Sequence, residues 1–325
     1  MFDSLGVSVL VLLAVLGVWL AIRSRRAKNR GVKWTGLILS SLLAVVCSLA
    51  TVVVLIGYYK INFPAYRSSA SDVKVAGTPE QIARGAKLAV ICSGCHSPDG
   101  KLPLAGRNFM DANAPPAGKL YAVNLTPAGE IKEWSDGEVI RAIREGRHKS
   151  GRSLIIMPSG AFRNFSDVDV HSVVAYLRSQ PAAGQRSPAT RLNIVGAALV
   201  GAGVPIIAAQ PPIAQPVVAP QEGASAEYGR YLVSILACQE CHGPELAGRK
   251  PGGLGPPAGP NLTALVPSWS AEGFIRTLRT GIDPANHKLL EAMPWKEISS
   301  FANDDDLMAI YMYLHSLKTI EGPSK

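Results

Sequence analysis

The chain has 325 residues, of which 47% are hydrophobic and only 18% are charged, and this excludes wholesale disorder and favours two or three domains with membrane-embedded segments. Five cysteines are too few for a disulfide scaffold in a chain of this length. The net charge is +9, but six cations lie together between Arg23 and Lys33 without an acid, so we attribute the excess to membrane topology and expect no nucleic-acid partner.

Two uncharged apolar runs open the chain, one over 4–22 and one over 34–59. Each is long enough to cross about 30 Å of hydrocarbon at about 1.5 Å per residue. The short basic connector between them should be cytoplasmic, which places everything after Tyr59 on the outer face. A cleaved signal peptide would have cations before its apolar run, whereas the first four residues carry Asp3. Residues 1–60 are therefore predicted to form a transmembrane hairpin, with Cys47 as a small buried apolar residue of the second span.

The rest of the chain repeats one series of landmarks in the same order. The paired landmarks are Cys-x-x-Cys-His at 92–96 and 238–242, Asn-Leu-Thr at 124–126 and 261–263, Trp-Ser at 134–135 and 269–270, Met-Pro at 157–158 and 293–294, and Tyr-Leu at 176–177 and 313–314. The offset between the copies changes only slightly along the series, which indicates a duplication with small loop insertions. We term residues 77–180 the first module and residues 225–320 the second module.

Helix-start signals predict that both modules are mainly helical, and no strand pattern persists. Side chains suited to capping a helix N-terminus occur at Thr78, Ser135, Ser166, Ser270 and Asn303. The first two are followed three residues later by Gln81 and Glu138, which makes each a capping box. Helical spacing in the last helix predicts a buried stripe of Leu307, Ile310, Tyr311, Leu314 and Leu317. The Gly- and Pro-rich stretches 102–116 and 244–260 are predicted loops.

Residues 181–224 form a Pro/Gly/Ala-rich linker between the modules. Five prolines between Pro205 and Pro220 predict that this part is stiff and extended. The apolar segment 192–209 could be read as a third span, but its glycines weaken a helix. One more crossing would also place the two Cys-x-x-Cys-His motifs on opposite sides of the membrane. We expect this segment to pack on one of the modules or to lie on the bilayer surface.

Each Cys-x-x-Cys-His motif places two thiols and an imidazole close together on a helix. Both cysteines can then form thioethers to haem vinyl groups while the histidine reaches the iron. A zinc site would need two further ligands at matching spacing, and a thioredoxin-like dithiol would lie in a βαβ setting without need of the histidine. Two matched motifs therefore predict two covalently attached haem c groups, held by Cys92, Cys95, His96, Cys238, Cys241 and His242.

The sixth iron ligand is predicted to be a methionine on a loop downstream of each motif. Met157 lies 61 residues after His96, and Met293 lies 51 residues after His242. Each is followed by a proline, which removes an N–H, fixes φ and so helps to hold an extended loop. Because the two methionines occupy matching positions, the predicted axial pairs are His96 with Met157 and His242 with Met293.

Other candidate ligands lack a matching partner in the second copy. His148 and His287 lie shortly before the two methionines at positions that do not align, so both are expected to be surface histidines. Packing is the expected role of the unmatched methionines and of the paired aromatic residues, which are Met110, Met308, Met312, Trp134, Trp269, Tyr176 and Tyr313. His171 and His315 lie on the predicted final helices and are expected to be solvated or hydrogen-bonded.

These landmarks resemble those of the class I c-type cytochromes. The order Cys-x-x-Cys-His, Asn-Leu-Thr, Trp-Ser with an Arg-rich helix, Met-Pro and a final helix ending in Tyr-Leu-x-Ser is similar to the cytochrome subunits of membrane alcohol dehydrogenases. The similarity covers about 78–180 and 225–318. The layout of a two-helix anchor before two haem domains resembles the dihaem subunit of cbb3-type oxidases. The resemblance implies an all-α fold of two tandem class I cytochrome c domains on the periplasmic side of a bacterial cytoplasmic membrane.

The sequence thus predicts a membrane-anchored dihaem cytochrome c. It would carry single electrons between a quinol-oxidising complex or dehydrogenase and a terminal acceptor such as an oxidase. Its expected partners are the membrane and the redox proteins or other subunits of a respiratory or photosynthetic complex, in which it would be a non-catalytic subunit. One alternative is an enzyme of the dihaem peroxidase type, in which one iron lacks its methionine. Another is a membrane tether for a larger complex, in which the haems are secondary.

Overall fold

Helices dominate the computed structural model, which describes residues 3–66, 68–109, 116–250 and 257–323. Met110 and parts of the two predicted loops lie outside these residues. Each strand in the described part is two residues long, as the predicted all-α fold requires. The helices are α1 Ser4–Ser24, α2 Arg30–Asn62, α3 Pro79–His96, α4 Asp136–Glu145, α5 Ser159–Phe162, α6 Asp167–Ser179, α7 Ile194–Gly201, α8 Ala226–Ile235, α9 Cys238–His242, α10 Leu262–Leu265, α11 Ala271–Thr280, α12 Trp295–Phe301 and α13 Asp304–Ser316. The strands are β1 Arg107–Asn108, β2 Gly118–Lys119, β3 Tyr121–Ala122 and β4 Arg191–Leu192.

The chain divides into two compact units. The first unit consists of Met1–Ala65, Asn108–Tyr121 and Pro188–Pro205, so it joins the predicted hairpin to two short segments from later in the chain. The second unit consists of Tyr66–Arg107, Ala122–Ser187 and Ile206–Lys325, and it contains most of both modules.

Two long apolar helices of the first unit, α1 and α2, are candidate membrane spans. They have 21 and 33 residues, and both are long and apolar enough to cross a membrane. Gly17 of α1 lies so close to the backbone of Ser40 and Ala44 in α2 that an added Cβ would overlap it. A small residue at this crossing therefore allows the two helices to approach closely. Cys47 is buried, as predicted.

The short helix α7 packs against α2, and this differs from the expectation for the apolar segment 192–209. With eight residues, α7 is too short to cross a membrane. Gly57 of α2 lies against the carbonyl of Ala197, and Gly201 of α7 lies against the backbone of Val53. Within the segment, only the residues from Ile206 onward belong to the second unit. The glycines that weaken the helix signal in the sequence are the residues that allow this close contact.

The two modules share one architecture within the second unit. In the first module α3 packs against α6, and in the second α8 packs against α13. A glycine lies at each crossing, Gly85 against the carbonyl of Ser172 and Gly229 against the carbonyl of Ala309. A Cβ at either glycine would overlap the facing backbone, so both crossings depend on a residue without a side chain.

Local capping signals are confirmed at all five predicted positions. The side chains of the predicted caps accept hydrogen bonds from the third helical N–H of α3, α4, α6, α11 and α13. Complete capping boxes form at Thr78, Ser135 and Asn303. The predicted stripe of α13 is buried at its aliphatic positions Leu307, Ile310 and Leu314 and half-buried at Tyr311 and Leu317.

Candidate haem-binding sites

The two Cys-x-x-Cys-His motifs lie at the ends of equivalent helices, but the second helix is interrupted. In the first module α3 runs unbroken to His96. In the second, α8 ends at Ile235, and α9 begins at Cys238 after Ala237, whose φ of 58° is left-handed. The crossing glycines are offset by 144 residues and the motifs by 146, so two additional residues at this break account for the interruption.

Burial keeps the motif thiols protonated. It raises the pKa of Cys92 and of Cys238 to about 12, and it also raises the pKa of Cys95 and Cys241. A redox-active dithiol instead has a depressed thiol pKa. The described residues also contain no group of three or more His, Cys, Asp or Glu side chains that could hold a metal ion. The raised thiol pKa opposes the thioredoxin-like alternative, and the lack of such a group among the described residues opposes the zinc alternative.

Each motif histidine is buried and fixed by one backbone carbonyl. The Nδ1 atom of His96 lies 2.7 Å from the carbonyl oxygen of Val123, and that of His242 lies 2.8 Å from the carbonyl oxygen of Pro260. Burial lowers the pKa of both imidazoles, which therefore favour the neutral form. A neutral imidazole that donates from Nδ1 has its lone pair on Nε2, and this is the atom that can bind iron.

The Asn-Leu-Thr motif positions those carbonyls. In the first module, the Asn124 side-chain oxygen accepts hydrogen bonds from the N–H and hydroxyl of Thr126, at 2.8 and 2.7 Å. Its amide nitrogen donates to the carbonyl of Ala183, after the final helix, at 2.7 Å. The residue that precedes Asn124 is Val123, whose carbonyl faces His96. The motif therefore links the histidine to the end of the module.

The second module repeats this arrangement. The Asn261 side-chain oxygen accepts from the N–H and hydroxyl of Thr263, at 3.0 and 2.7 Å, and its nitrogen donates to the carbonyl of Ile320 at 2.7 Å. The preceding residue, Pro260, supplies the carbonyl that faces His242. The sequence shows Asn-Leu-Thr only as a landmark, and its recurrence in both copies is the signal of this structural role.

Met157 and Met293 occupy matching loop conformations. Both are half-buried and pack against the apolar core. The following prolines have nearly the same backbone angles, φ −79° and ψ 51° at Pro158 and φ −79° and ψ 50° at Pro294. Each methionine carbonyl accepts a hydrogen bond from the N–H two residues later at 2.8 Å. The two loops thus have matching backbone conformations.

One arginine in each module fastens the segment between the methionine loop and the final helix. Arg144 is buried, donates to the carbonyl of Phe165 and pairs with Asp167 at 2.7 Å. Arg279 donates to the carbonyl of Ser299 at 2.6 Å and pairs with Asp304 at 2.7 Å. Asp167 and Asp304 are the first residues of α6 and α13. The sequence reveals the two arginines only as matched positions in the repeat.

The competing histidines have other partners. His287 is exposed and lies 3.2 Å from the Asp283 carboxylate, as expected of a surface histidine. His148 differs from that expectation, because its side chain is only 17% exposed. Its ring meets the edge of the Trp134 ring, with centroids 4.8 Å apart, and its Nε2 lies 3.7 Å from a carboxylate oxygen of Glu130. The Trp134 ring shields His148 from solvent, and this contact could not be predicted from the position of His148 in the sequence.

Similarity to known families covers both modules. Residues 82–181 match the cytochrome c family, and residues 224–314 match the family described as cytochrome c oxidase, cbb3-type, subunit III. The chain is a membrane-associated c-type cytochrome. This cytochrome thus contains two cytochrome c domains, which indicate covalently bound haem c, and each domain has the buried histidine and paired thiols that such a group requires.

The relatives of this cytochrome include subunits of dehydrogenases. It is 34% identical over 258 residues to a subunit of the nicotinate dehydrogenase of Pseudomonas putida, covering 73% of this chain and 21% of the relative. It is 30% identical to the fructose dehydrogenase cytochrome subunit of Gluconobacter japonicus, over 73% of this chain and 52% of the relative. It is also 30% identical to the gluconate 2-dehydrogenase cytochrome c subunit of Pantoea cypripedii, over 57% of this chain and 41% of the relative. The chain therefore spans about half of these relatives or less, and the comparisons give no support to the peroxidase alternative.

Proposed function

We propose that this cytochrome carries two haem c groups and transfers single electrons as a subunit of a membrane-bound dehydrogenase complex. Thioethers would form at Cys92, Cys95, Cys238 and Cys241, and the axial pairs would be His96 with Met157 and His242 with Met293. Bound haem would supply iron that changes valence by one electron while both axial positions stay filled. A protein of this kind needs no substrate pocket, because its task is to hold the iron and to dock with redox partners.

The repeated support of the two histidines is the observation that carries this proposal. Each imidazole is buried, its Nδ1 lies at hydrogen-bond distance from a carbonyl oxygen, and its Nε2 is the atom proposed to bind iron. A half-buried methionine with a matching loop conformation stands in each module. If only one module bound haem, the other module would have no need of a histidine held in this way. Both modules have this contact, which supports two haem groups.

The electron donor is proposed to be the catalytic subunit of a dehydrogenase, and the acceptor a terminal oxidase or quinone-linked complex. Support for the donor comes from the relatives, whose names place them in nicotinate, fructose and gluconate dehydrogenases. The six cations between Arg23 and Lys33 support a cytoplasmic connector, and hence modules on the outer, periplasmic side of the membrane. We propose the division into hairpin 1–60, first module 77–180, linker 181–224 and second module 225–320.

The haem count per chain tests the proposal directly. The detergent-solubilised protein should contain two covalent haems by intact mass and by haem absorbance per chain. Cys92→Ala with Cys95→Ala should leave one haem, and so should Cys238→Ala with Cys241→Ala. Cys47→Ala is the matched control and should keep both haems, because Cys47 lies in the membrane helix. One haem or none in the wild-type protein would refute the assignment, and purification with a dehydrogenase subunit would support the proposed donor.

A further inference from the structure

The two modules contact each other through corresponding elements. Helix α12 of the second module packs on α3 of the first, and α5 of the first packs on α8 of the second. Helices α5 and α12 each begin two residues after the Met of Met-Pro, and α3 and α8 each carry the crossing glycine. The contact is therefore reciprocal, because the same two surfaces meet twice. Reciprocity of this kind is the property of a two-fold symmetric interface.

Two polar contacts between the modules are also reciprocal. Asp169 and Asp306 are the third residues of α6 and α13. The Tyr231 hydroxyl of the second module donates to Asp169 of the first, and Lys87 of the first module lies 2.7 Å from Asp306 of the second. Lys87 and Tyr231 correspond, since each follows its crossing glycine by two residues. The two corresponding pairs, Tyr231 with Asp169 and Lys87 with Asp306, thus connect the modules on opposite sides of a pseudo-two-fold axis.

Near that pseudo-axis, corresponding residues meet each other. Arg84 and Tyr228 each precede their crossing glycine by one residue, and the two side chains lie near enough for the charge of the Arg84 guanidinium to act on the Tyr228 hydroxyl. Residues on a two-fold axis necessarily face their own counterparts. Arg84 also pairs with Asp169, so the centre of the interface is a connected polar cluster.

The interface is buried and its charges are compensated. Asp169 is fully buried, Asp306 is 4% exposed and Tyr231 is 7% exposed. A buried carboxylate destabilises the fold unless it is paired and hydrogen-bonded. Asp169 has such partners in both modules, Arg84 in the first and Tyr231 in the second. Apolar residues of both modules also belong to one continuous core, which includes Phe165 and Leu232. Separation of the modules would expose this core and remove a partner from each carboxylate.

We propose that the two modules form a fixed pseudo-two-fold pair in which the first helix of each module supports the methionine loop of the other. The second part rests on the proposed function, because it takes Met157 and Met293 as iron ligands. Electrons would then pass between the haems at a constant separation, without domain motion. Methionine ligation in one module would also depend on the presence of the other.

A cut in the linker tests whether the interface alone holds the pair. A protease site is inserted between Gly223 and Ala224, where the glycine has φ 138° and open space around it. The folded, haem-loaded protein in detergent is then cleaved and passed over a sizing column. We expect the two fragments to elute together and to keep the near-infrared band of methionine-ligated ferric haem. Separation of the wild-type fragments would overturn the proposal.

Two substitutions show whether the reciprocal contacts carry the association. Lys87→Met with Tyr231→Phe keeps the apolar parts of both side chains and leaves Ser166 and Asn303, the N-cap residues of α6 and α13, in place. Tyr231→Phe also removes the hydrogen bond that the Ser166 N–H donates to the Tyr231 hydroxyl, which is a further contact between the modules. We expect the dissociation constant of the cleaved fragments to rise by about tenfold for each lost contact. The matched control is Lys318→Met with Tyr311→Phe, because Lys318 is exposed and the Tyr311 hydroxyl bonds within the second module. An equal effect of the control pair, or no effect of the test pair, would contradict the assigned contacts.

The readouts separate this proposal from the proposed function. Fragments that separate while each keeps a methionine-ligated haem refute the pair and leave the function intact. An uncut protein that shows no methionine band in either module refutes the axial ligands, whatever the fragments do. Fragments that separate only in the test variant, with loss of the band on separation, support both parts of the proposal.

Discussion

At the scale of single residues, each predicted iron-binding histidine is oriented by a carbonyl that an asparagine holds in place. The carbonyls of Val123 and Pro260 face the two imidazoles, and Asn124 and Asn261 follow them directly. Both asparagines bond to the Asn-Leu-Thr turn and to the segment after the final helix. An outer partner of this kind fixes the tautomer and ring orientation of a metal-binding histidine.

Replacement of Asn124 should destabilise the first module. Asn124→Ala removes hydrogen bonds to Thr126 and to Ala183 at a fully buried position, so we expect a loss of about 1–3 kcal/mol in the free energy of unfolding. Asn164→Ala is the control, because Asn164 is exposed, and it should change this free energy by less than about 0.5 kcal/mol. Denaturant titration provides the measurement, and equal losses in the two variants would contradict this role.

The Glu130 carboxylate should make stability depend on pH. The interaction with His148, whose Nε2 lies 3.7 Å from the carboxylate, lowers the pKa of Glu130 below its ordinary 4.5. A carboxylate with a lowered pKa stabilises the fold above 4.5, and this contribution is lost as the pH falls through the folded-state value. We expect Glu130→Gln to lower the free energy of unfolding by about 1 kcal/mol at about pH 6 and to have no effect under strongly acidic conditions. A pH-independent difference between the two proteins would show that the charge of Glu130 is not responsible.

At the scale of elements, the capped helices could be predicted from the sequence because their signals are local. Thr78, Ser135 and Asn303 each lie within three residues of the partner that completes the capping box. The contact of α7 with α2 could not be predicted in this way. Gly57 and Ala197 are 140 residues apart, and the apolar segment that contains α7 fits several environments equally well. Close packing between distant small residues leaves no periodic pattern in either segment.

The arginine on α11 should stabilise the methionine loop of the second module. Arg279→Lys removes the fork that bonds both the carbonyl of Ser299 and the carboxylate of Asp304, and lysine cannot reproduce its geometry. We expect a loss of about 1–2 kcal/mol in stability and a weaker near-infrared methionine band. Arg276→Lys on the exposed face of the same helix should leave both quantities unchanged. The proposal for Arg279 fails if the two variants behave alike.

At the scale of the whole molecule, the sequence predicts the parts better than their association. The duplication, the two candidate membrane helices and the haem motifs follow from residue types at fixed spacing, and the family matches and the helices support them. The pairing of the modules depends instead on contacts such as that between Lys87 and Asp306, which are 219 residues apart. The correspondence between such contacts can be recognised only after the two modules are superposed on their crossing glycines, Gly85 and Gly229.

The axial ligation of the two irons is the central claim, and a potentiometric titration of methionine variants tests it most directly. Met157→Ala and Met293→Ala should each lower the midpoint potential of one haem and convert it to a labile or open site, because methionine raises the potential of the iron that it binds. Met312→Ala is the control, since Met312 is 40% exposed on α13 and is not a proposed ligand. The account predicts one shifted haem in each of the two test variants and none in the control. Titration curves identical to wild type in both test variants would contradict the proposed ligands.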